Sequence, residues 1–250
     1  MRRWSIVPIL ISLCLVLAQA SDLANDAVPR RQVVFGVDIS SSITPVQRAR
    51  WLSLALQVLG SLRPGDSFQL FGIHENTMLA GPLFGRPIPI APDPGSATVD
   101  ELLLFKKAYK DFKAGSAAAV NQCITGNTQS LKTDVFSLFD RVKPNGTQKV
   151  VMVLFTDGLH SGKDLNLEKV RLRANDIPRC VRTVTTQHHW TAGTLVGVRV
   201  HVILPSIQSG ESSPQLNDRP ILGEFFDKLL KEIGATLVTF DTHLAQGGSL

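Results

Sequence analysis

The signatures of the common enzyme classes are missing from these 250 residues. There is no G-x-S-x-G elbow to raise a nucleophilic serine, no H-E-x-x-H pair to grip zinc, no Walker loop and no dinucleotide glycine fingerprint. No run of lysine and arginine interleaved with aromatics stands out either. The basic surplus therefore reads as a dispersed surface, and nucleic acid is not expected as a partner. Cysteine is scarce, with three residues. Internal repeats and any composition break that would mark a second domain are lacking as well.

What is present begins with a leader. Arg2 and Arg3 precede the apolar stretch Ile6 to Ala18, and Ala18-Gln19-Ala20 has small residues at cleavage-type positions, the pattern of a secretory signal peptide. The stretch is too short to span a bilayer comfortably. Cleavage after Ala20 would leave 230 residues with no membrane span, in a secreted or periplasmic protein. The formal net charge would then fall from +5 to +3, because two arginines leave and no acid does. Cys123 and Cys180 would remain. In an oxidising compartment they could pair, but the sequence does not show whether they approach each other. With 44% hydrophobic and 19% charged residues the chain has ample apolar surface for one core, which excludes a disordered chain.

Along the chain, apolar runs alternate with helical periodicity. Val33 to Val37 is a strand. Thr44-Pro45-Val46-Gln47 is a capping box, and it predicts a helix from Pro45 to Leu62. Phe68 to Ile73 is a second strand. Pro82 to Pro94, with five prolines, reads as a surface loop. Thr98 to Glu101 opens a helix whose apolar face is Leu102, Phe105, Ala108, Tyr109 and Phe112, and Gly115 to Asn127 reads as the end of that helix passing into a loop. A short helix over Asp134 to Val142, a turn at Pro144-Asn145-Gly146 and strands at Val150 to Phe155 and Val196 to Leu204 follow. Leu222 to Ile233 is a strongly amphipathic helix closed by Gly234, and Ala235 to Phe240 is the last strand. The expected organisation is a linker over 21–32, one domain over 33–243 with a loop-helix insertion around 82–113, and a flexible tail over 244–250.

Strands that are apolar at nearly every position must be buried on both faces. The expected class is therefore α/β, a doubly wound and mostly parallel sheet with helices on both faces. In such sheets ligands gather outside the carboxyl ends of the strands, where the strand order reverses. Two acidic residues stand at such ends, Asp38 and Asp157.

Asp38-Ile39-Ser40-Ser41-Ser42 leaves the first strand directly, so a carboxylate and two hydroxyls spaced two apart emerge together. These are hard oxygen donors, suited to magnesium, manganese or calcium rather than to softer metals. Phe155-Thr156-Asp157-Gly158 ends a later strand. Together the two motifs resemble the von Willebrand factor type A domain, whose metal-ion-dependent adhesion site joins a D-x-S-x-S loop, a threonine on a second loop and an aspartate on a third. The resemblance implies a divalent cation (Mg2+, or Mn2+ or Ca2+) held by Asp38, Ser40, Ser42, Thr133 and Asp157, in a Rossmann-like fold. It also implies a protein partner that offers a glutamate or aspartate to the ion, in a binding event where no bond is made or broken. Thr133 runs straight into a helix, as in the family's second loop, and Thr128 is the alternative. Ser41 stands where glycine is frequent in the family, and the insertion near 82–113 is an addition to it.

Two other functions stand beside that one: a metal-dependent hydrolase of phosphatase type, and a scaffold whose metal is only structural. Against the hydrolase, haloacid-dehalogenase-like phosphatases want a second aspartate where Ser40 stands, so an enzyme is not expected. His188-His189 on an extended segment would point to opposite faces and could not share a zinc ion. His160 reads as a solvated loop residue.

Overall fold

The computed structural model describes residues 31–75, 77–126, 130–206 and 217–244. Its strands are β1 (Arg31–Asp38), β2 (Ser67–Ile73), β3 (Phe84–Pro87), β4 (Lys149–Phe155), β5 (Arg199–Ile203) and β6 (Thr236–Asp241). Its α-helices are α1 (Pro45–Gly60), α2 (Val99–Thr125), α3 (Ile177–Gln187) and α4 (Arg219–Glu232). The sheet order is β3-β2-β1-β4-β5-β6, parallel throughout except for β3, which pairs antiparallel with β2 at the edge. This is the doubly wound α/β sheet expected from the apolar strands. The signal, the start of the linker, and the tail beyond residue 244 lie outside the described residues. So does Thr128. Among the described residues no helix is long and apolar enough to cross a membrane.

Both faces of the sheet are covered, which explains why β1 and β4 have no polar alternation. Val33, Phe35 and Val37 of β1 and Val151, Val153 and Phe155 of β4 pack under α1 and α2. Val34 of β1 and Val150, Met152 and Leu154 of β4 pack under α3, α4 and the 3-10 turn Phe136–Arg141. Gly36 is small because that turn comes so close: a Cβ there would lie 2.4 Å from Leu138 Cδ2. Each fully buried phenylalanine or valine in these layers adds about 1.5–3 kcal/mol relative to exposure.

Several elements depart from their sequence readings. β1 starts at Arg31, inside the expected linker, because the Arg31 guanidinium is tied to the buried Asp66 carboxylate at 2.7 Å. The proline-rich segment contains β3, since an edge strand tolerates prolines whose missing N–H faces away from the ladder. Phe84 of β3 then fills the gap between Phe68 and Phe112. The second helix does not end near Gly115. It runs 27 residues to Thr125, because Gly115 lies against the Phe84 ring and Ser116, Val120, Cys123 and Ile124 turn inward. His188 caps the end of α3 and His189 has φ 55°, so neither lies on an extended segment. Cys123 and Cys180 are both free, and they are packed in the two layers on opposite faces of the sheet.

Candidate functional site

The chain runs outward from β1 to β2 and β3 on one side and from β4 to β5 and β6 on the other. The order therefore reverses between β1 and β4, which are hydrogen-bonded neighbours with Val37 opposite Phe155. Asp38 and Asp157 leave the carboxyl ends of these two strands, the position where doubly wound sheets form their ligand crevice.

A continuous set of hydrogen bonds joins four of the five residues singled out in the sequence. The Ser40 N–H donates to Asp38 Oδ1 at 2.8 Å, turning the loop back on its own carboxylate. Ser42 Oγ donates to Asp157 Oδ2 at 3.0 Å. Because that bond uses the only hydroxyl proton of Ser42, the 2.8 Å contact between Ser40 Oγ and Ser42 Oγ has Ser40 as donor. Asp157 Oδ1 accepts from the Leu159 N–H at 2.9 Å, and Asp38 Oδ2 accepts from Thr156 Oγ1 at 3.0 Å. Each carboxylate oxygen thus has one protein donor and keeps a further acceptor site.

Thr133, the fifth residue, stands between the other two loops. Its segment pairs with the first loop through Ser130, whose N–H donates to the Ile39 carbonyl and whose carbonyl accepts from the Ser41 N–H. It pairs with the third loop through Ser161, which receives the Thr133 N–H on Oγ at 2.7 Å and donates its own N–H to the Thr133 carbonyl at 2.8 Å. Thr133 is buried, and its hydroxyl takes no part in the chain that joins the other four.

Asp38 is fully buried and Asp157 is 7% exposed, while Ser42 faces solvent. Burial raises the pKa of Asp38 against several lowering hydrogen bonds. Burial, and then the Asp38 charge, push Asp157 up to about 7. No basic side chain pairs with either carboxylate among the described residues. Arg48 acts on Asp38 only through space, because its guanidinium donates to the carbonyls of Ser40, Ile43 and Ile124 at 2.7, 3.3 and 3.1 Å. Two desolvated carboxylates with spare acceptor sites, neutral hydroxyls beside them and no paired cation form a donor set that fits a hard divalent cation.

Beside the site lies a groove of about 740 Å³, lined among others by Lys132, Lys163, Met78 and Leu79. Its floor is a polar relay. His160 Nε2 meets Asp164 Oδ1 at 2.7 Å, Asp164 Oδ2 meets His188 Nε2 at 3.3 Å, and His188 Nδ1 meets Asp140 Oδ2 at 2.7 Å. His160 is not solvated. It is fully buried, stacked on Phe136 with centroids 3.9 Å apart, and its Nδ1 accepts the Val135 N–H. Gly162 lets this relay close, since a Cβ there would fall 2.2 Å from His160 Nε2 and 2.4 Å from Asp164 Oδ1.

Sequence reasoning missed Thr156 as the partner of Asp38, Ser161 as the tie to Thr133, and Arg48 as the clasp on the first loop. Thr156 lies inside the Phe155-Thr156-Asp157-Gly158 motif, but its spacing from Asp38 in sequence gives no sign of the bond between them. Ser161 and Arg48 act over long sequence separations and leave no local signal.

No protein-family profile matches the sequence, and no curated protein matches it. Among solved structures, similar chains include a von Willebrand factor type A protein from Catenulispora acidiphila, 15% identical, covering 84% of this chain and 38% of that one, with a TM-score of 0.40. The PilB minor pilin of Streptococcus sanguinis is 12% identical over 86% of this chain and 58% of its own, with a TM-score of 0.44. A manganese-loaded TRAP protein of Plasmodium vivax is 14% identical over 76% and 68%, with a TM-score of 0.37. This chain spans less than half of the first of these and under two thirds of the pilin. Likenesses this distant assign no function.

Proposed function

We propose that this chain is an extracytoplasmic protein-binding module that holds a divalent cation at the Asp38–Asp157 crevice and uses it to capture an acidic side chain of a partner protein. The observation that carries this reading is the hydrogen-bonded oxygen set of Asp38, Ser40, Ser42 and Asp157 at the reversal of the strand order. Asp38 and Asp157 would supply the charge, and Ser40, Ser42 and Thr133 would supply neutral oxygens. When bound, the ion would offer a partner carboxylate an electrophilic coordination position. Thr156 and the Leu159 N–H fix the two carboxylates, and Arg48 fixes the loop that carries the serines. The groove beside the site, with exposed Lys132, Lys163 and Leu79, extends the surface a partner would cover. The proposal is one of binding and includes no chemical step.

The test is thermal unfolding of chelator-treated protein titrated with magnesium, manganese and calcium, beside Asp38→Ala and Asp157→Ala. An ion at about a hundred times its dissociation constant stabilises the native state by roughly 2.7 kcal/mol. For a domain of this size that is a rise in midpoint of about 5–10 °C. Both variants should lose it. A flat titration with all three ions would remove the cation from the reading. Capture of a partner that persists unchanged in chelator would make the ion incidental.

A further inference from the structure

We infer that the solvent face of the first half of α2 is a docking surface for an anionic lipid bilayer, independently of whether the crevice holds an ion. The segment Phe105-Lys106-Lys107-Ala108-Tyr109-Lys110-Asp111-Phe112-Lys113 is where the expectation of a dispersed basic surface gives way. Folded as a helix, it separates its residues by face. Phe105 and Tyr109 stack on one another, and Phe112 is buried toward the sheet. Val99, Leu103, Lys106, Lys110 and Lys113 follow the alternating four-and-three spacing of a single outward stripe, with Lys107 alongside. All six are exposed, Val99 by 72% and Leu103 by 58%.

Lys113 lies over the Tyr109 ring at 4.7 Å, but no carboxylate pairs with the stripe among the described residues. On α4, Lys228 and Lys231 each reach a carboxylate one turn away at 2.7 Å, whereas none of the four α2 lysines makes such a pair among the described residues. Lysines three and four apart repel one another and weaken their own helix, and an external anion removes that cost. The apolar residues decide which anion. A phosphate polymer offers nothing to Val99 and Leu103, whereas a lipid surface takes them into its interfacial layer and accepts the lysine heads among its phosphates.

Position in the fold agrees. The Ile124 carbonyl, at the far end of α2, is held by Arg48 beside the Asp38 loop, and Lys106 lies about 28 Å along the axis from Thr125 at about 1.5 Å per residue. The near half of α2 is tied to the opposite end of the molecule, where Tyr109 donates to the Leu62 carbonyl and Arg31 to the Ser61 carbonyl. The stripe and the Asp38–Asp157 crevice are thus separated along the α2 axis.

Flotation of the full chain in chelator tests this, with vesicles of phosphatidylcholine alone and with about one quarter phosphatidylglycerol. The neutral vesicles report any contribution of the N-terminal apolar segment, and the stripe is read from the excess on anionic ones. Each lysine near such a surface is worth about fivefold in partitioning, so Lys106→Gln with Lys110→Gln should lower the excess about 30-fold. Lys106→Arg with Lys110→Arg should keep it, and Leu103→Asn should reduce it without changing its salt dependence. An unchanged thermal midpoint shows that the paired variant is folded, and Lys107→Glu serves as a second variant with the same expected direction. Equal binding to both vesicle types, an unaltered excess in the glutamine pair, or retention on heparin with no vesicle excess would each overturn the inference.

Discussion

Thr156 donates to Asp38 Oδ2 while its own oxygen accepts the Gly158 N–H, so one hydroxyl fixes the orientation of a buried carboxylate without adding charge. Thr156→Val keeps the shape and removes the donor. Its ion affinity, read from the ion-dependent rise in thermal midpoint, should fall about 10- to 100-fold, the usual effect of losing an outer-shell partner, and Thr156→Ser should restore it. At this scale the sequence was legible where chemistry and spacing coincide: Asp38, Ser40, Ser42 and Asp157 announce themselves by leaving apolar strands. It was illegible where a role depends on a distant neighbour. His160 looks like any loop histidine until Phe136 stacks on it, and Asp164 is invisible until two histidines converge on it.

Among the elements, α1 and α2 begin at the capping boxes read from the sequence, with both reciprocal hydrogen bonds formed in each. The end of α2 was misread because Gly115 and its small neighbours suggest a breaker, and only the approach of Phe84 from β3 explains them. α3 carries a helical spacing at Ile177, Cys180, Val181 and Val184 that the polar residues between them conceal. Its last residues hold the groove together. Burial lowers the pKa of His188, but the hydrogen bonds and charges of Asp140 and Asp164 outweigh this and raise it to about 9. Asp164 moves the other way, below the usual carboxylate range, as the bonds from His160 and His188 overcome its burial. A histidine whose folded pKa exceeds its unfolded value of about 6.5 contributes stability in full below that pH, and this is lost as pH rises through about 9. The thermal midpoint of chelated protein should therefore decline between those limits, by the equivalent of at most about 3 kcal/mol. In His188→Gln the slope should flatten. Asp157, raised to about 7, loses its part of the stability at lower pH, between about 4 and 7, so the two windows are separable.

For the molecule as a whole, apolar strands alternating with helices were sufficient to read a doubly wound sheet, because burial on both faces leaves no other economical arrangement. They could not say which residues end up on which face, and that decides the fate of the cysteines. With the sheet between them, Cys123 and Cys180 do not pair with each other, and burial pushes Cys123 up to about 12. In protein never exposed to reductant, a thiol reagent near neutral pH should react slowly with both, and both should label on unfolding in guanidinium. Labelling at these two positions that appears only after a reductant is added would reveal a disulfide and contradict the sheet assignment.

Arg48 gives that whole-molecule geometry a mechanical meaning. Its guanidinium grips the last turn of α2 at the Ile124 carbonyl and the serine loop at the Ser40 carbonyl, with Ile43 as a third hold. α2, about 40 Å long at about 1.5 Å per residue, is packed along its length through Phe112, Val120 and Ile124 and tied at Tyr109, and Arg48 adds a polar hold at its last turn. The end of α2 and the loop that carries Ser40 and Ser42 are therefore clasped by one guanidinium, so a displacement of either would be felt by the other.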